Sequence, residues 1–168
     1  MSKSKEKKKE KNIEKPKVSK KILAIRIVLV ILIALWTLLI FYLSGQTGSE
    51  SSGLSTKVVR LFIKDEAVVK IVEPYARKLA HLTEYAINGM LFMLLFKTYD
   101  WKEEKILGIL ACFGVWYASL DEIHQLLIPD RAGRLYDVWI DWLGFMIGAT
   151  CTLLLIKIIK IIKGRKKW

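Results

Sequence analysis

The chain has 168 residues, 53% of them hydrophobic, and carries a formal net charge of +12, a pairing that excludes an ordinary soluble domain. The charge sits at the ends: residues 1–21 hold ten Lys against three Glu, Lys157–Lys167 hold six positive charges and no acid, and everything between nets −1. A body without a basic excess excludes a nucleic-acid-binding core, which needs a basic face, and fits one membrane domain with basic tails.

Residues 1–21 are too polar to bury a core and are expected to be a disordered basic tail, held against anionic lipid on the cytoplasmic side. Ile22 to Leu43 has one charge, Arg26, and is long enough to cross a bilayer as a first helix. It is too long for a signal peptide and lacks a small-residue cleavage pattern, so it reads as an anchor. Arg26 is expected to snorkel to the interface. Ser44–Ser55 reads as a turn-rich loop. Leu54, Val58, Leu61 and Phe62 then recur at helical spacing among Lys57, Arg60 and Lys64, which predicts one or two short amphipathic helices on the membrane surface or packed on the bundle.

Pro74 is expected at the first position of the second membrane helix. Three further spans are predicted at about 77–97, 106–128 and 136–160 by the length a bilayer requires, within a membrane domain of 22–162 followed by a basic tail, 163–168. The fold class is therefore an all-α membrane protein with four transmembrane helices and short amphipathic helices in the first outer loop. Cys112 and Cys151 lie in apolar runs without metal spacing and read as small core residues. Trp36, Trp101, Trp139 and Trp142 fit an interfacial belt. Gly144 and Gly148 form a G-x-x-x-G that lets a neighbouring helix approach closely. Four spans put both termini on one side, and the Lys/Arg excess of both tails makes that side cytoplasmic.

Ionisable side chains inside a membrane are expensive and mark function by default. Here they gather toward the outer ends of the spans, within about two turns, or roughly 10 Å, of the boundary. Ser44 and Gln46 leave the first span there. Lys78, His81, Glu84 and Asn88 form one stripe on the second. Asp121, Glu122, His124 and Gln125 end the third, Arg131 and Arg134 lie in the next loop, and Asp137 and Asp141 share a face of the fourth. His81 with Glu84, and His124 with Asp121, are the couples suited to acid–base work, with Asp137 as a further candidate catalytic group. Ser44, Gln46, Lys78, Glu122, Gln125, Arg131, Arg134 and Asp141 are candidate ligand-binding groups, the arginines suiting a phosphate or carboxylate. Asp121-x-x-His124 has plausible helical spacing for a metal, but no HExxH or cysteine pattern accompanies it. No metal ligand is assigned, and the cofactor is left open. Catalysis, binding without catalysis and a purely structural ion-pair network all stay open at this point.

Ser44-Gly45-Gln46, Arg77-Lys78-Leu79-Ala80-His81-Leu82-Thr83-Glu84-Tyr85, Asp121-Glu122-Ile123-His124-Gln125, Pro129-Asp130-Arg131-Ala132-Gly133-Arg134 and Asp137-Val138-Trp139-Ile140-Asp141-Trp142-Leu143-Gly144 follow one another in this order. In this combination the chain resembles the VanZ family of small bacterial membrane proteins over about residues 36–155. Relatives often carry an amide where this chain has Asp141. The resemblance implies a multi-pass protein of the bacterial cytoplasmic membrane. Its implied role is in the cell envelope near glycopeptide (teicoplanin) action, with membrane lipids and an envelope precursor or glycopeptide as partners.

Overall fold

A computed structural model describes residues 19–131 and 133–165; the expectations for the tails fall almost wholly outside them. Five helices follow in order: α1 (Lys20–Ser44), α2 (Gly48–Phe62), α3 (Glu66–Phe96), α4 (Glu103–Gln125) and α5 (Leu135–Arg165), with no strand among the described residues. α1, α3, α4 and α5 are long and apolar enough to cross a membrane. The fold class read from the sequence is the one observed: an all-α, multi-pass membrane protein.

The segment between α1 and α3 is more ordered than a turn-rich loop. Thr47 caps α2, accepting from the Glu50 backbone N–H while the Glu50 carboxylate accepts from the Thr47 N–H at 2.9 Å, a reciprocal capping box. These bonds hold the Glu50 carboxyl below its ordinary pKa. α2 is amphipathic: Val59 is buried against the bundle while Leu54, Val58, Leu61 and Phe62 stay exposed.

Pro74 does not start a helix. It sits inside α3, which begins eight residues earlier behind Asp65, whose carboxylate accepts from the N–H groups of Ala67 (2.8 Å) and Val68 (3.4 Å). Proline removes one backbone donor at a cost of about 3 kcal/mol. The early turns are held nonetheless, because Val69 and Glu73 are buried where α3 packs on α2.

α3 and α5 share the largest interface of the bundle, and small residues explain it. A Cβ at Gly144 would collide with the Leu82 carbonyl oxygen, one at Gly148 with that of Ala86, and one at Gly89 with that of Phe145. The backbones therefore touch directly, as G-x-x-x-G packing requires. The middle of the bundle is apolar, with Tyr85, Met93, Ile106, Leu110 and Phe145 fully buried and Phe92 centred 4.8 Å from Phe113 and 5.7 Å from Phe145.

Three other expectations change. Cys112 and Cys151 are exposed rather than core, because each falls on the side of its helix turned away from the neighbouring helices. Trp36 is not part of a belt: its indole N–H donates to the Glu84 carbonyl at 2.8 Å, tying α1 to α3 inside the span. Arg26 does more than snorkel. Its Nε donates to Thr98 Oγ1 (2.9 Å), its Nη2 to the Thr98 carbonyl (2.8 Å), and its guanidinium lies 3.7 Å above the Tyr99 ring.

Candidate functional site

The polar residues converge where α1 and α4 end and α5 begins, beside the middle of α3. On each helix the periodicity selects pairs four apart: Arg77 and His81 on α3, Asp121 and Gln125 on α4, Asp137 and Asp141 on α5. With Pro74, Lys78, Asp130, Arg131, Arg134 and Ile140, all of these except Asp121 line a cavity of about 350 Å³. Two hydrogen bonds hold its loop against the connection between α1 and α2 and the start of α2. The Gly48 N–H donates to the Pro129 carbonyl at 3.3 Å, and Arg131 Nε donates to the Gln46 carbonyl at 3.0 Å. A Cβ at Gly48 would run into the Asp130 carbonyl, and Asp130 itself takes a left-handed φ of 58°, a region aspartate tolerates better than most residues.

The rim is cationic. Lys78 Nζ stands 3.5 Å from Asp137 Oδ1 and 4.6 Å from the centre of the Tyr136 ring. Arg77 Nη2 donates to Glu73 Oε1 at 2.5 Å. Arg77 Nε and Arg131 Nη2 are buried without any hydrogen-bond partner. Burial, and then the charge of Arg77, pull the Arg131 guanidinium below its ordinary pKa. An anion placed against it would oppose this shift.

The floor is acidic and more deeply buried. Asp141 is 1% exposed, with His81 Nδ1 at 3.8 Å from its Oδ1. Asp121 is fully buried; its Oδ2 accepts from Ser44 Oγ at 2.9 Å and from Gln125 Nε2 at 3.1 Å. His81, Asp121 and Asp141 each bring one potential ligand atom to within 4.8 Å of the others. The Tyr85 hydroxyl is also buried without a partner.

Lys78, His81, Gln125, Arg131, Arg134, Asp137 and Asp141 thus share one cavity, with Ser44 and Asp121 packed behind it. Neither expected histidine couple forms. His81 faces Asp141, not Glu84, and Asp121 is held by Ser44 and Gln125, not by His124. Glu84 makes no side-chain hydrogen bond or ion pair among the described residues, and its carbonyl receives Trp36. The His124 ring packs 5.7 Å from Phe41 and lines a separate cavity with Gln46, Glu50 and Lys57. Gln46 serves the main site through its backbone alone. The Glu122 carboxylate accepts from the backbone N–H of Arg134 ahead of α5, a structural contact. The sequence reading missed Arg77 and Asp130. Arg77 was within reach, since it lies four residues before His81.

No curated protein and no solved structure matches the chain. A family model described as VanZ/LLP1 matches residues 29–157, a stretch that takes in every residue of the cavity and of its floor. The chain belongs to the VanZ/LLP1 family.

Proposed function

We propose that the cavity receives the anionic head group of an exported lipid-linked or peptide ligand at the outer face of the bacterial cytoplasmic membrane, in cell-envelope or glycopeptide (teicoplanin) response. The observation that carries this reading is the pair of spare guanidinium donors: Arg77 Nε and Arg131 Nη2 are buried and unpartnered beside a cavity of about 350 Å³. Buried donors without acceptors are costly, and a phosphate or carboxylate is the acceptor arginine fits best. The basic tails support the outward orientation through the positive-inside rule, with both termini cytoplasmic. Beneath the rim, the juxtaposed His81 and Asp141 provide an acid–base pair for modifying what is bound.

The alternative is a non-catalytic membrane scaffold or binding protein. Lys78–Asp137 and Arg77–Glu73 favour it, because acids and bases that pair with each other fix helix register without a ligand. The two readings separate in lipid nanodiscs. With polyprenyl phosphate titrated in, a site of the proposed kind raises the melting temperature of the wild type and not of Arg131→Ala. Equal shifts in both proteins, or none in either, overturn it. Mass spectrometry of envelope lipids and peptidoglycan precursors from cells with and without the protein then tells modification from binding, and teicoplanin susceptibility tests the physiological role.

A further inference from the structure

We propose that His81, Asp121 and Asp141 form a binding site for a divalent transition-metal ion, zinc or manganese, beneath the cavity. The site lies below the anion-binding rim, goes beyond anion binding without depending on it, and makes His81 and Asp141 ligands in place of a free acid–base pair. The three side chains come from three different helices, and their potential ligand atoms lie within 4.8 Å of one another. Tetrahedral ligands at roughly 2.1 Å from zinc stand about 3.4 Å apart, so small side-chain rotations close the set.

Proximity of acids alone would not make a site. What points to an ion is the state of the carboxylates. Asp121 is 0% exposed and Asp141 1% exposed, yet Asp121 Oδ1 and Asp141 Oδ2 have no hydrogen-bond partner. A buried carboxyl group is tolerated when it is protonated, paired, hydrogen-bonded or bound to a metal. Among the described residues no Lys or Arg forms an ion pair with either acid; Arg77 pairs with Glu73 and Lys78 with Asp137. Only His81 among the described residues, at 3.8 Å from Asp141, approaches either acid as a base.

Asp121 is moreover oriented as a ligand would be. Ser44 and Gln125 both donate to its Oδ2, which fixes the carboxylate and leaves Oδ1 free. Hydrogen bonds of this kind to a ligating group are a regular feature of metal sites. One imidazole nitrogen with two carboxylate oxygens suits zinc or manganese better than the soft ions that prefer thiolates. Both His81 and Asp141 line the cavity, so a remaining coordination position would open onto it, for water or for an oxygen of a bound anion.

The test uses the full-length protein purified in detergent without a polyhistidine tag. It is stripped with a chelator, reloaded with zinc or manganese chloride, desalted and analysed by elemental mass spectrometry. The expected result is about one equivalent of zinc or manganese per chain, the more strongly retained ion identifying the metal. The ion should raise the melting temperature, with no comparable rise from magnesium. Asp121→Asn and Asp141→Asn should lose the metal and the shift, and His124→Gln should keep both. If the aspartate variants fail to fold, His81→Gln, at a half-buried position, replaces them with the same expectation. Substoichiometric metal in reloaded wild type, or equal metal in wild type and His81→Gln, overturns the proposal. The measurement involves no anion, so its failure leaves the anion-binding reading standing, and a failed polyprenyl phosphate titration leaves this one standing.

Discussion

The two ends of the bundle handle their charges in opposite ways. Where α3 ends and α4 begins, the half-buried charges find partners. Arg26 spends Nε and Nη2 on Thr98 and stacks on Tyr99, while Lys97 and Lys157 converge on Glu103 at 3.2 Å and 2.6 Å. At the cavity end, Arg77, Asp121, Arg131, Asp137 and Asp141 all keep a buried polar atom without a hydrogen bond. Native structures leave few such atoms, and those they leave concentrate where something else is bound. The same helices thus close one end for stability and hold the other in readiness.

Substitutions on either side of this contrast have different consequences. The largest effect is expected from Arg131→Ala, which should weaken binding of a phosphate-bearing lipid about thirtyfold or more, read by titration in nanodiscs. An unchanged affinity would place the anion elsewhere. Arg26→Ala should do the reverse, costing about 1.5–3 kcal/mol of stability for its charged hydrogen bonds in a denaturant titration, with ligand binding intact. Ser44→Ala removes one hydrogen bond from Asp121, worth about 1 kcal/mol. It should also loosen a metal at Asp121 by about tenfold, a loss a competition assay with a chelating dye resolves. His124→Gln should leave both metal and anion binding at wild-type levels, since its ring lines another cavity. The smallest effect belongs to Lys157→Ala. Its side chain is half exposed, and calorimetry should find no resolvable change.

Much of this was legible in the sequence. The four spans follow from apolar runs of bilayer length, and the concentration of polar residues at one end of them follows from reading depth along each run. G-x-x-x-G announced the close approach of α5 to another helix. What sequence could not give is which neighbour each face meets. His81 and Asp141 are sixty positions apart and meet because Gly144 seats α5 on α3. Asp121 turns to Ser44 of α1 rather than to His124 of its own helix. The misplaced start of α3 has a similar origin: local preference favours Pro74 at a helix start, and burial of Val69 against α2 overrides it.

With Leu82 and Ala86 carbonyls lying flush on Gly144 and Gly148, no layer of movable side chains separates the two helices that carry His81 and Asp141. A 31-residue α5 spans about 46 Å, more than a hydrocarbon core of about 30 Å, and such helices tilt as bilayer thickness varies. α3 and α5 must then lean as a unit. The gap between imidazole and carboxylate is thereby insulated from lipid composition, so the chemistry of the site should stay constant across membranes that differ in depth.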